Sequence, residues 1–436
     1  MAVLKSSKIS MILHDSSTIN DYIFLPCPES RYRRDRRMAY CGFLWLKISF
    51  ISWLIFHFNF IILGTLTLYL MVLCGCGTKP GARTFETSPI IEERGVWLNR
   101  TELFLPKDQL LKLLDSLQEA HFTSIYVDSY FKGTVVYPNS KYLPQYPEVS
   151  EPDVLSWLVP EIKKRGMHVQ AWMGYGFYAW HTKDAAQTSD RGAFLTQYPE
   201  LTAISADGTP YLHNKDWGDF FSLCPANPKS HKILGDLFVE ILERYPFDGL
   251  NLDRIRFPNE TFCFCDFCKS RFKKDTGLDL KLYEKGSREH VKFIDWRKKQ
   301  LTGFMKKNVP RFRAVRPGLR ITLDALPPDM MDSHAQPWDV WLGKGWLDAA
   351  LPMLYGEYDF KNRVRIVRQF PKKDMIFPGL DAHSLSPEKV LDQIRFIRDQ
   401  GARGCVLWYS GQIQDDLPRL KSGPFSAPAT TPLKNM

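Results

Sequence analysis

What these 436 residues lack rules out several kinds of protein. Nine cysteines in so long a chain cannot form the dense disulfide framework of a small secreted scaffold. The formal net charge is +10, yet no basic tract extends beyond short clusters, so no nucleic-acid partner is expected. The first 75 residues hold eight Lys/Arg against four Asp/Glu, and the remaining excess is spread along the chain. No glycine-rich phosphate loop follows the first strand-like run, which argues against a doubly wound dinucleotide fold. The His/Asp ligand cluster of a metal-dependent deacetylase is also missing. Hydrophobic residues at 44% and charged residues at 24% give an ordinary globular balance rather than a disordered one. Aromatics are plentiful at 14%, with 12 Trp and 18 Tyr, which suits stacking on rings as well as filling a large core.

Residues 1–37 show no clear periodicity and end in the basic run 31–37, RYRRDRR. Met38 follows and is an alternative start of translation. The apolar stretch 43–73 is long enough to span a bilayer. Basic residues before it and small residues after it make a secretory signal. Its end, Leu73-Cys74-Gly75-Cys76, resembles a bacterial lipobox with Cys76 as the lipidated residue; a plain transmembrane anchor is the other reading. Either places the remainder in the bacterial cell envelope, held at the membrane. Residues 1–76 are therefore set apart from the fold, and 77–92 read as a tether.

From Arg94 onward, strand-like and helix-like periods alternate. Strands are expected at 96–99, 124–128, 168–173, 249–253, 320–324, 349–355, 375–380 and 404–409. Helices are expected at 107–120, 152–165, 230–244, 289–316, 338–343, 361–369 and 386–400. The last opens with Ser-Pro-Glu, a cap followed by proline at the first helical position. Segment 174–229 reads as loop-rich, 259–287 as a cysteine-containing insertion, and 421–436 as a loose tail. Eight strands alternating with helices over 93–420 predict an α/β fold, the (β/α)₈ TIM barrel, with the insertion after strand four.

One stretch organises the candidate site: 247–258, FDGLNLDRIRFP. A buried strand that ends in Asp253, Arg254 and Arg256 is costly as core but suits the carboxyl end of a barrel strand, where active sites of this fold lie. The other expected strand ends carry Asn99 and Arg100; Asp128 and Tyr130; Trp172 and Tyr175; Asp324; Tyr355 and Glu357; Asp381 and His383; Trp408 and Tyr409. Cleaving a glycoside takes two carboxyl groups, one ionised and one protonated. A guanidinium beside Asp253 suits it to the ionised role, and Glu357 in an aromatic surround suits the acid role; Asp324 and Asp381 compete for it. Asn99, Arg100, Asp128, Tyr130, Trp172, Tyr175, Arg254, Arg256, Tyr355, His383 and Trp408 are the candidate substrate contacts. For Asp253 the alternative is a structural salt bridge, for Glu357 an ordinary loop carboxylate, and for any one aromatic residue core packing. His168 is expected to have no role.

Cys263-x-Cys265-x-x-Cys268 places three thiols at metal-like spacing. A structural zinc would need a fourth ligand, from Cys224 or a remote histidine; disulfides are the other option. Neither takes part in catalysis, and no cofactor is required.

Several segments together resemble the glycosyl-hydrolase-like family 10 proteins. They are RGVWLNR at 94–100, GTVVYPNS at 133–140, KRGMHVQAWM at 164–173, FDGLNLDRIRFP, CFCDFC at 263–268, LPMLYGE at 351–357, PGLDAHSLSPEKVLDQI at 378–394 and GARGCVLWYS at 401–410. The likeness spans roughly 92–415 and is specific in order and spacing. It implies a (β/α)₈ barrel, often in an exported lipoprotein, that hydrolyses a glycan; some members are similar to enzymes acting on peptide-free peptidoglycan strands. Asp253 falls on the family's strand-four aspartate. Asn251 stands where histidine is usual, which implies an altered substrate contact, and Asp381 where many relatives carry a small residue. No second carboxylate is fixed by the resemblance. The expectation is an exported glycoside hydrolase acting on a cell-envelope or other polysaccharide, with a catalytically silent glycan-binding lipoprotein as the alternative.

Overall fold

The computed structural model describes residues 90–149 and 151–434. The signal or anchor segment, Met38 and Cys76 lie outside these residues. Among the described residues no helix is long and apolar enough to cross a membrane.

Eight parallel strands form the centre: β1 (Glu93–Leu98), β2 (Ser124–Asp128), β3 (His168–Met173), β4 (Gly249–Leu252), β5 (Arg320–Ala325), β6 (Ala349–Pro352), β7 (Gly379–Asp381) and β8 (Gly404–Trp408). Their spatial order is 6-5-4-3-2-1-8-7, and bridges Ala350–Ile376 and Met353–Gly379 bring β6 against β7 to complete the ring. The helices that follow the strands are α1 (Lys107–Glu119), α2 (Val154–Lys164), α3 (Pro228–Arg244), α4 (Arg288–Val315), α5 (Trp338–Gly343), α6 (Phe360–Val367), α7 (Pro387–Asp399) and α8 (Leu417–Ser422). This is the (β/α)₈ barrel. Helix starts follow local chemistry: Asn227 caps α3 by accepting from the Lys229 N–H, and Ser386 caps α7 by accepting from Lys389, with Pro387 behind it.

Alternation along the strands sorts side chains between two cores. Leu250, Leu252, Ile321 and Leu323 face the helices in the larger core. Trp97, Tyr126, Trp172, Leu351, Phe377 and Val406 fill the barrel interior. Register places Asn251 beside Thr322, and their side chains are hydrogen-bonded at 3.0 Å, so both point inward. Asp253 and Asp324 lie two residues further along, on the same inward parity, at the carboxyl end of the barrel.

The opposite end is closed by a segment that the composition conceals. The expectation of a loose tail over 421–436 fails for the described part. Ala429–Thr430 pairs with Ile90–Ile91, Leu433 is buried among the interior residues, and the Thr431 hydroxyl donates to Glu93. Glu93 also accepts from Ser124 and Tyr126, and burial lifts it to about 7. The ordered barrel thus also takes in Ile90–Ile91 and Glu92 from the end of the expected tether; Glu92 accepts from Arg94 and Arg398.

Two excursions rise from the carboxyl end. The region after β3, expected to be loop-rich, contains a three-stranded antiparallel sheet of Tyr178–Thr182, Gly218–Ser222 and Leu212–Asn214. The segment between β4 and α4 carries the cysteines and a helix, Asp266–Thr276.

Candidate active site

Asp253 follows β4 directly and is almost fully buried. One carboxylate oxygen accepts from the Arg254 N–H at 2.6 Å. Arg254 and Arg256 hold guanidiniums 3.5 and 3.6 Å from its two oxygens. Arg254 has a positive φ of 48°, and its side chain turns to the Gly174 carbonyl and lies over the rings of Tyr175 and Tyr178. The loop after β3 presses on this turn. A Cβ on Gly176, whose φ is +46°, would sit 2.1 Å from the Asp253 carbonyl oxygen, so only glycine allows the approach.

Asp324 lies one residue from the end of β5, the neighbouring strand. Its carboxyl is buried and accepts from Asn251 Nδ2 at 2.9 Å. Burial, and then the adjacent Asp253 charge, push it well above the usual carboxylate range. Asn251, at the position where the resemblance implied an altered substrate contact, instead supports this carboxyl from below. A further polar layer continues beneath it, with Thr322 donating to Gln170 at 2.8 Å.

Asp128 ends β2, and neither of its buried oxygens has a hydrogen-bond partner. Arg100 lies 3.8 Å away and is held over the Phe131 ring at 3.3 Å. Burial still lifts Asp128 to about 7 against the pull of Arg100. Asn99 fixes the start of this loop by accepting from Arg100 and from the Thr101 N–H.

Trp408 projects from β8 among Trp97, Trp172, Tyr355 and Tyr409, with ring centroids 5.4–6.3 Å apart. Trp408 and Tyr355 are half-buried and offer ring surface, whereas Trp172 is buried. Asp381, at the end of β7, accepts from the N–H groups of His383 and Ser384 at 3.0 Å each, so it caps its own turn.

Four expected site residues lie elsewhere. Glu357 is exposed and ion-paired with Lys389 on the outer surface, because β6 ends at Pro352 and the chain has left the barrel mouth. It lacks the apolar surround expected of the acid, so the role assigned to it fails. Tyr130 is fully buried beyond β2, and its hydroxyl donates to the Tyr178 carbonyl at 3.0 Å. It is packing, not a substrate contact. His383 is exposed at the rim, 6.2 Å from the Tyr409 ring. Tyr175 is buried too; it supports Arg254, and its hydroxyl is taken by His181 Nδ1 at 2.6 Å.

Sequence reading missed His181, which burial lowers to about 4, and Glu102. Glu102 is buried after β1 and accepts from Ser410 Oγ at 3.0 Å, tying the first loop to the eighth. No spacing marks either residue.

The sequence profile of the family Glycosyl hydrolase-like 10 matches residues 92–375. This chain belongs to that family. Within the wider set of relatives, it is 24% identical to the glycosyl hydrolase DigH of Escherichia coli (strain K12), over 65% of this chain and 70% of that protein. The same figures hold for the DigH protein of Shigella flexneri. In fold, this glycosyl hydrolase-like chain resembles the glycoside hydrolase domain of PgaB (BpsB) from Bordetella bronchiseptica, with a TM-score of 0.59 and 14% identity over 76% of this chain and 98% of that domain. A β-galactosidase from Rahnella sp. R3 matches with a TM-score of 0.56 and 14% identity over 77% of this chain and 56% of that enzyme. At such identity these two likenesses show the barrel alone.

Proposed function

We propose that this family member is a glycoside hydrolase that cleaves a polysaccharide with Asp253 and Asp324 as its working carboxyl pair. The observation that carries the reading is the asymmetry between two adjacent carboxyl groups. Asp253 is flanked by two guanidiniums, while Asp324 is buried over Asn251 and raised by burial and then by its neighbour's charge. A buried carboxyl raised by its neighbour's charge suits the proton-donor role, which leaves the other as nucleophile or base. Asp253 then attacks the anomeric carbon or activates water, and Asp324 protonates the departing oxygen. Trp408 and Tyr355 supply ring faces for the sugar, and Arg100 with Asp128 borders the same mouth. Family membership supports a carbohydrate substrate.

Adjacent strands are about 4.8 Å apart, which favours the close carboxyl separation of about 5–5.5 Å found in retaining enzymes. Digestion of peptide-free and intact peptidoglycan, with mass analysis of fragments and NMR of the first-formed anomer, tests the reading. Fragments from the peptide-free glycan with retained configuration are expected. Inversion would refute Asp324 as partner and point to Asp128, two strands from Asp253. The absence of cleavage on any polysaccharide would favour a silent glycan-binding barrel. We further propose that the apolar run 43–73 exports the chain and that Cys76 carries lipid at the bacterial envelope; radiolabelled palmitate should enter the native chain but not Cys76→Ala.

A further inference from the structure

We propose that Cys224, Cys263, Cys265 and Cys268 bind one structural zinc ion as a four-thiolate site. Cys224 completes the triad read from spacing, although it lies on the other excursion. All four side chains are buried, and their sulfurs lie within 4.8 Å of one another. Cys224 Sγ is 3.4 Å from Cys268 Sγ and 3.7 Å from Cys265 Sγ. Zinc–sulfur bonds of about 2.3 Å in a tetrahedron put ligand sulfurs about 3.8 Å apart, close to these distances. A disulfide needs about 2.05 Å, so the 3.4 Å pair would have to close by about 1.3 Å. One central ion fits the four sulfurs as they stand.

The local chain suits this role. Cys265 precedes the first turn of the helix Asp266–Thr276 and Cys268 lies within it, so that helix's amino end faces the cluster. An independent observation comes from Arg297 on α4. Its guanidinium is fully buried, its Nη atoms reach only the carbonyls of Asn259 and Ser333, and its Nε has no partner. Among the described residues no carboxylate lies within 4.0 Å of it. The charges acting on it are those of Glu260 first, then Cys268 and Cys263. Zinc with four thiolates carries a net charge of −2, which gives this buried cation a counter-charge. Four thiols lose their protons as the ion binds, so the site forms with proton release.

The ion would join the two excursions where their backbones already meet. Phe264 donates to the Ile204 carbonyl, Ala206 donates to Thr261, and Ser205 bridges Phe262. Cys263 follows Asp253 by ten residues in sequence, so the clamp steadies the loop that leaves the candidate site. All four ligand positions are filled by protein, which leaves none for substrate and makes the site structural rather than catalytic.

The test is the metal content of the full-length chain, purified under reducing conditions without added metal. One zinc per chain is expected, released as an organomercurial titrates the cluster thiols and retained in Cys405→Ala. Cobalt exchanged into the site should give the absorption of a tetrahedral tetrathiolate. Cys224→Ser should lose zinc, and Cys224→His, which keeps a ligand, should recover it. Disulfides among these four cysteines in the native protein, iron in place of zinc, or no metal after reconstitution with zinc and reductant would each overturn the proposal. None of these readouts depends on glycan cleavage.

Discussion

Asp128→Asn should stabilise the protein, and only above the pH at which Asp128 ionises in the unfolded chain. In the folded barrel Asp128 holds its proton up to about 7, against an ordinary value of 3.8, because burial outweighs Arg100. Below the unfolded value both states are protonated and the residue costs nothing. As the pH rises from about 4 to 7 the unfolded chain gives up the proton while the fold retains it, so stability falls. Above pH 7 the penalty is constant at roughly 4 kcal/mol, and water entering around the ionised group lowers it towards roughly 2. Asparagine matches the neutral acid in shape and cannot ionise. Glu93 is raised in the same direction, but its slope is common to both proteins and cancels in the difference. Denaturant unfolding at a series of pH values is the assay. The variant should match the native protein near about pH 4 and exceed it by roughly 2–4 kcal/mol near about pH 8. A difference independent of pH would refute the burial argument.

Gly176→Ala should lower the melting temperature by several degrees and glycan cleavage by about tenfold or more, because its Cβ would strike the Asp253 carbonyl. Calorimetry and initial rates check this, and an unchanged rate would show that the loop contact does not position Asp253. Glu357→Gln should leave cleavage within about twofold and stability within about 0.5 kcal/mol, since the residue is an exposed ion-pair partner; loss of activity would return it to the acid role.

The barrel was legible because two periods are written plainly into the chain. Eight strand signals alternate with seven helix signals, and these expected elements differ from the observed ones by a few residues at their ends; the helix Leu417–Ser422 was not expected. Those few residues decided the errors at the site. Ending β6 at Pro352 rather than at 355 carried Glu357 from the mouth to the surface. Tyr130 stands only two residues past β2, yet it enters a short hairpin and becomes core. Asp253 and Asp324 were legible because both stand at strand ends with inward parity. Their division of roles was not, since it depends on which carboxyl the guanidiniums reach and which one lies over Asn251. Glu102 and Ser410 are 308 residues apart, and no local pattern records their contact. The closing segment was hidden by its Pro/Ser/Thr-rich composition, in which the anchors Phe425, Thr431 and Leu433 give no periodic signal.

The most direct measurement is the cleavage rate of Asp253→Asn on peptide-free glycan strands, beside a circular dichroism spectrum and melting curve that establish its fold. The carboxylate pair predicts a folded protein whose rate falls by about a thousandfold or more. A folded variant that releases fragments at the native rate would contradict it.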